Sequence, residues 1–126
     1  MPGISIHVVD VASGLIAVGL RVALSSVGKT SSLIAQGEIN SKGLFDDTHL
    51  ERTFEPGYYE AVLHVGEFYR MQEAARGPAK AKSSEAETIQ FLDVVTYRFG
   101  IQDSAQHFHL PFKITAWGYS CFRGGA

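Results

Sequence analysis

Apolar and polar residues alternate with a period of two along most of the chain, the pattern of half-buried β-strands. Ile4, Ile6 and Val8 alternate with Ser5, His7 and Val9, which predicts a short strand with one polar face. Ser13-Gly14 reads as a turn. Leu20, Val22 and Leu24 alternate with Arg21, Ala23 and Ser25 in a second strand, and residues 26–32 are loop by composition. Residues 33–39 form a third strand that ends at the turn signal Asn40-Ser41-Lys42-Gly43. Residues 44–54, with Asp46-Asp47, read as a short fourth strand plus loop. After the Pro56-Gly57 break, Tyr59, Ala61, Leu63 and Val65 alternate with Tyr58, Glu60, Val62 and His64, the clearest strand in the chain. The period then changes. Phe68, Met71, Ala74 and Ala75 fall at helical spacing, which predicts a helix over 67–76 closed by Gly77-Pro78. Residues 79–88 are small and charged with no apolar face, a surface loop open to disorder or proteolysis. Residues 91–99 return to strand and 102–106 turn. Phe108, Leu110, Phe112 and Ile114 then alternate with His107, His109, Pro111, Lys113 and Thr115, and Trp117, Tyr119 and Cys121 begin the last strand. Seven or eight short strands and one short helix predict an all-β antiparallel sandwich.

A length of 126 residues fits a single domain over 1–126. A domain of that size buries roughly two-thirds of its unfolded surface and needs no disulfide or metal to fold. Eleven basic and thirteen acidic residues give a net charge of −2, which argues against a nucleic-acid partner bound through its phosphates. One cysteine makes no intrachain disulfide and fits a reducing compartment. Residues 1–10 have neither a basic region nor a continuous apolar run, so no signal peptide is expected. The uncharged stretch 11–20 is broken by Ser13, Gly14 and Gly19, too short and too interrupted to span a membrane. A cytoplasmic protein with no membrane partner is the expectation.

Three histidines stand out as candidate chemistry. His107 and His109 are two apart on a strand and project from one face, opposite Phe108, Leu110 and Phe112. His7 lies on the polar face of the first strand. If the two strands are neighbours, three imidazoles converge, and imidazole takes and gives protons near neutral pH. The alternatives are solvated surface histidines, or a zinc site built on His-x-His and a third histidine, which no nearby cysteine or carboxylate strengthens. His49 and His64 stand alone, His64 as a packed or hydrogen-bonded residue inside a strand. Arg123 belongs either to a solvated tail or to a tail held by packing of Trp117-Gly118-Tyr119, where its planar fork suits an oxygen-rich ligand. Cys121, in an alternating apolar strand, reads as a buried inert thiol rather than a nucleophile. No glycine-rich phosphate loop and no Gly-x-Ser-x-Gly elbow is present.

Taken together, certain stretches resemble one family. They are Ile6-His7-Val8-Val9-Asp10, Tyr58-Tyr59-Glu60 through His64-Val65-Gly66-Glu67-Phe68-Tyr69, and Phe91-Leu92-Asp93-Val94-Val95 through Arg98-Phe99-Gly100-Ile101. His107-Phe108-His109-Leu110-Pro111 and Trp117-Gly118-Tyr119-Ser120 through Arg123-Gly124 complete the set. In order and spacing these resemble the 5-hydroxyisourate hydrolases, the enzymatic branch of the transthyretin family, from about residue 4 to residue 125. The resemblance implies a transthyretin-like sandwich of two antiparallel sheets, with a short helix after the tyrosine-rich strand. It implies a homotetramer with its sites between dimers, and no cofactor. The implied reaction is hydrolysis of 5-hydroxyisourate, an oxidation product of urate, by water attack on a ring carbonyl. His7 and His109 are the implied catalytic pair. Leu44, His107, Phe122, Arg123 and Gly124 fall at implied substrate-binding or tail-supporting positions.

Some positions depart from the family pattern. Leu44 stands where relatives usually have arginine, with Lys42 nearby as a candidate replacement, and Phe122-Arg123-Gly124-Gly125 replaces Tyr-Arg-Gly-Ser. Lost donors weaken a site built to hydrogen-bond a polar ring. Leu44 and Phe122 also imply a more apolar pocket, suited to a greasier cyclic metabolite. Two further readings follow: a family member turned to acid–base ring opening, cyclisation or isomerisation of such a metabolite, or a non-catalytic small-molecule binder.

Overall fold

The computed structural model describes residues 2–75 and 89–125. The strands are β1 (Gly3–Asp10), β2 (Leu15–Ile16), β3 (Arg21–Val27), β4 (Ser32–Glu38), β5 (Gly57–Leu63), β6 (Val95–Ile101), β7 (His107–Ile114) and β8 (Tyr119–Cys121). A helix, α1 (Val65–Ala74), follows β5, and a single 3₁₀ turn covers Thr48–Leu50. Two four-stranded sheets have the orders β2-β1-β7-β8 and β4-β3-β5-β6. Every pairing is antiparallel except β1 with β7, which run parallel. A parallel neighbour needs a long crossover, and here the whole second sheet supplies it.

Alternation decides which side chains meet between the sheets. Ile4, Ile6 and Val8 of β1 and Phe108, Leu110, Phe112 and Ile114 of β7 are buried against Val22, Leu24, Ala61, Leu63 and Val95 of the other sheet. Each such large side chain contributes roughly 1.5–3 kcal/mol relative to exposure. Among the described residues, no polar or charged residue belongs to the buried class, so the chemistry of β1 and β7 is confined to their outer faces.

The structure corrects several expected boundaries. The hairpin strand β2 is two residues long and leaves too little alternation to read. Residues 44–54 contain no extended strand. Leu44 and Phe45 make isolated bridges to His7 and Ile39, and the 3₁₀ turn follows, capped by the Asp47 carboxylate on the His49 amide. Strand β5 stops at Leu63, and His64 is the residue that caps α1 rather than part of the strand. The helix begins early because its first turn docks on residues 92–93. Gly66 N–H donates to the Asp93 carbonyl at 2.7 Å. A Cβ on Gly66 would meet the backbone of Leu92 and Asp93 at 3.0 Å. The same docking pulls residues 91–94 out of the expected strand. Phe91 remains 75% exposed, with its ring 5.8 Å from that of Trp117. Trp117 lies in a turn rather than a strand, since the Thr115 hydroxyl accepts from the amides of both Trp117 and Gly118. The Gly77-Pro78 stop and the loop expected at 79–88 lie outside the described residues. No helix among the described residues is long and apolar enough to cross a membrane.

Candidate active site

The parallel register of β1 and β7 places Gly3 opposite His107, Ser5 opposite His109 and His7 opposite Pro111. Their alternating neighbours fill the core, so Ser5, His7, His107 and His109 all emerge on the outer face, each half-buried. Ser5 Oγ lies 2.6 Å from His109 Nδ1 and 2.8 Å from His107 Nε2. Sequence reasoning missed Ser5. Its signal was its position, two residues before His7 on the same face.

The far side of β7 is shaped by a proline. Pro111 has no N–H to offer its neighbour, and the regular β7–β8 ladder stops at the Phe112–Cys121 pair. The tail rejoins β7 where Gly124 N–H donates to the His109 carbonyl at 2.7 Å, in the register of β8. That register sets Phe122 opposite Pro111. On the other side of β1, Leu44 pairs with His7. Two adjacent rows result across the outer face, one of Leu44, His7, Pro111 and Phe122, the other of Ser5, His109 and Gly124.

Both histidines of these rows are tightly fitted. A Cβ on Gly124 would lie 2.7 Å from His109 Cδ2, and a Cβ on Gly43 would lie 2.6 Å from His7 Nε2. Gly43 also has a φ of +81°, which a side chain rarely tolerates. Burial first, then the neighbouring His7 and His107, holds the His109 imidazole below histidine's ordinary pKa. A pocket of about 420 Å³ opens beside the rows, lined by Ser5, His107, Lys42, Leu44, Asp46 and others. The structure therefore gathers His7, His107, His109, Leu44, Phe122 and Gly124 on one face and brings Lys42 to its rim.

Arg123 points elsewhere. Its guanidinium sits 4.2 Å from the centre of the Phe108 ring and donates to Gln106 Oε1 at 2.7 Å and to the His107 carbonyl at 3.1 Å. It lines a separate cavity of about 360 Å³ with Tyr97 and Phe99. The tail is thus anchored by Arg123 and Gly124. Trp117 and Tyr119, expected to hold it by packing, are 72% and 45% exposed, with Trp117 resting against the Phe91 ring. Phe122 is 51% exposed, with Lys113 Nζ 5.1 Å from its ring centre. Cys121 lies off the histidine rows, and burial pushes its thiol up to about 11, which suppresses the nucleophilic thiolate. His49 is exposed and hydrogen-bonded to Asp47 at 2.7 Å. Among the described residues, no three His, Cys, Asp or Glu side chains are grouped so as to hold a metal ion.

Residues 4–124 match the HIUase/Transthyretin family. The chain is 38% identical over 125 residues to the 5-hydroxyisourate hydrolase of Deinococcus radiodurans, covering 98% of this chain and 96% of that protein. It is 35% identical over 126 residues to the 5-hydroxyisourate hydrolase of Pseudomonas aeruginosa, covering 98% and 92% of the two. The solved structure of the 5-hydroxyisourate hydrolase from Klebsiella pneumoniae superposes with a TM-score of 0.73 at 25% identity, covering 99% of this chain and all of that one. A match of this extent, on top of a two-sheet sandwich with its helix after β5, makes the chain a member of the HIUase/transthyretin family.

Proposed function

We propose that the protein is a 5-hydroxyisourate hydrolase that opens a cyclic amide by base-assisted attack of water. The observation that carries this reading is the Ser5–His109–Gly124 row lying beside His7 on one open face of the sheet. His109 Nδ1 is engaged by Ser5, which leaves Nε2 as the nitrogen for water. Its lowered pKa keeps the ring unprotonated at neutral pH, as a general base requires. His109 Nε2 takes one proton from water, the hydroxide adds to the ring carbonyl, and the carbon–nitrogen bond breaks. The departing ring nitrogen then receives a proton, so the net change is one water added and one amide bond opened. His7, one row away, orients the water or the ring, and Lys42 supplies a cation on the pocket's rim.

The test is the decay of freshly generated 5-hydroxyisourate, followed by its absorbance. The protein is expected to accelerate it, with the acid limb of kcat/KM below about 6.5, histidine's ordinary value. An acid limb at or above that value removes His109 from the role of base. The same shift acts on stability. The unfolded chain protonates His109 first, so the fold loses stability as pH falls from about 6.5 toward the lower folded value.

The reading takes residues 1–126 as one domain, working in the cytoplasm as a homotetramer with its sites between dimers. Support for assembly comes from the surface. Strands β6 and β8 are sheet edges, and Leu15, Trp117 and Phe122 are 68%, 72% and 51% exposed, a load of bare apolar surface that a partner would cover. Phe122 stands in the same row as His7, so that partner would also wall the site. Light scattering on the eluting protein is expected to give four times the chain mass; a monomer overturns the assembly.

A further inference from the structure

The Ser5 hydroxyl touches two imidazoles at once, at 2.6 Å from His109 Nδ1 and 2.8 Å from His107 Nε2. A hydroxyl carries one proton. With two lone pairs it can accept from both rings and turn its proton elsewhere; when both rings are neutral and its proton lies between them, it donates to one and accepts from the other, which gives two relay arrangements. In the first, His109 carries its proton on Nδ1, Ser5 donates to His107 Nε2, and His109 Nε2 has a free lone pair. In the second, His107 carries its proton on Nε2, Ser5 donates to His109 Nδ1, and His109 Nε2 holds the proton. The first arrangement is a base at His109 Nε2 and the second an acid at the same atom.

We propose that Ser5 is a positioning residue that couples His107 to His109, so that a proton gained at His109 Nε2 is matched by one delivered to His107 Nε2 through the serine hydroxyl. The inference deepens the reading of His109 as the base and rests on it. The transfer balances. Water gives a proton to His109 Nε2, His109 Nδ1–H passes its proton to Ser5 Oγ, and the original Ser5 proton goes to His107 Nε2. His109 ends neutral in its other tautomer, and the positive charge ends on His107. No bond to Ser5 carbon is made or broken, and reversal returns the proton for the departing nitrogen.

Placement explains why the charge should move outward. His109 sits between Ser5 and Gly124, with the imidazoles of His7 from β1 and His107 from β7 facing it, and each disfavours a cation there. His107 instead lines the pocket with Asp46, Asp47 and Glu51, with Lys42 as the cation of that lining and the Arg123 guanidinium on its backbone carbonyl. The β1–β7 register sets Ser5 directly opposite His109 and one step from His107. The side chain is short enough to reach both rings, and alanine there would remove both hydrogen bonds together.

The experiment uses full-length protein with ¹⁵N-labelled histidine, as wild type, Ser5→Ala, Ser5→Thr and His107→Gln. Long-range ¹⁵N–¹H spectra read the ring tautomers without any substrate, and the pH profile of 5-hydroxyisourate hydrolysis reads the chemistry. Wild type is expected to show His109 in one dominant neutral tautomer, protonated at Nδ1. Ser5→Ala is expected to mix the tautomers and lower kcat by about 10²-fold with KM little changed, while Ser5→Thr restores both readings. His107→Gln is expected to lower kcat similarly, and the double variant no further than either single one. Unchanged tautomers in Ser5→Ala, a loss that threonine fails to rescue, or additive losses in the double variant overturn the proposal. If Ser5→Ala does not fold, His107→Gln decides on the same readings. If wild type leaves 5-hydroxyisourate decay unaccelerated, the hydrolase reading fails on its own, and the tautomer spectra still judge the coupling.

Discussion

Replacing His109 with glutamine is expected to slow the hydrolysis of 5-hydroxyisourate by about 10²–10⁴-fold, the range over which a general base contributes. Glutamine keeps a polar side chain of similar reach and retains a group for the Ser5 hydroxyl, but it takes no proton from water at neutral pH. The fold should survive, because His109 is on the outer face while Phe108, Leu110 and Phe112 hold β7 to the core. The variant should even gain relative stability below pH 6.5, since it carries no imidazole whose protonation is suppressed by folding. Stopped-flow absorbance and thermal unfolding at two pH values check both halves. A variant with wild-type kcat refutes the mechanism, whatever its stability.

Gly124→Ala is expected to lower kcat by about 10²-fold while shifting stability by less than about 1 kcal/mol. The effect is steric. Gly124 is not among the glycines with positive φ, so its backbone suits any residue. The added methyl, however, would sit 2.7 Å from His109 Cδ2 and 3.3 Å from the His109 carbonyl oxygen. Either the ring rotates away from Ser5 or the tail lifts off β7 and breaks the 2.7 Å bond from Gly124 N–H. Both outcomes misplace the base without touching the core. Gly28→Ala serves as the control, because its nearest new neighbour is 3.8 Å away. Equal kcat for the two variants would mean that the tail does not set the position of His109.

The inner faces of β1 and β7 were plain in the chain because period-two alternation over Ile4, Ile6 and Val8, and over Phe108, Leu110, Phe112 and Ile114, has one packing solution. The same alternation placed His107 and His109 together outside. It carried no information on which strands are neighbours, so the convergence of His7 with them remained conditional until the β1–β7 register was known. Family resemblance supplied what periodicity lacked for His7, His109 and Gly124. Ser5 escaped because a serine in a strand has no distinctive chemistry until two imidazoles stand beside it. His64 and residues 91–94 were misassigned for a different reason. Their composition suits a strand, but docking of the first turn of α1 on Asp93 overrides local preference. For Arg123 the resemblance implies support of the tail, while its contact with Phe108 depends on where the tail runs along β7.

The pairing of β1 with β7 also sets an order of events in the making of the protein. Ser5 and His109 are 104 residues apart in the chain, whereas β3, β4 and β5 find their partners nearby. Three strands of one sheet are therefore free to assemble early, while β1, with only the two-residue β2 beside it, waits for a long neighbour that emerges from the ribosome much later. A chain stopped short of β7 leaves Ile4, Ile6 and Val8 without Phe108, Leu110 and Phe112 beside them and has no histidine face at all. Such a fragment lacks both His107 and His109, and the face that gathers them with His7 forms only once translation has passed β7.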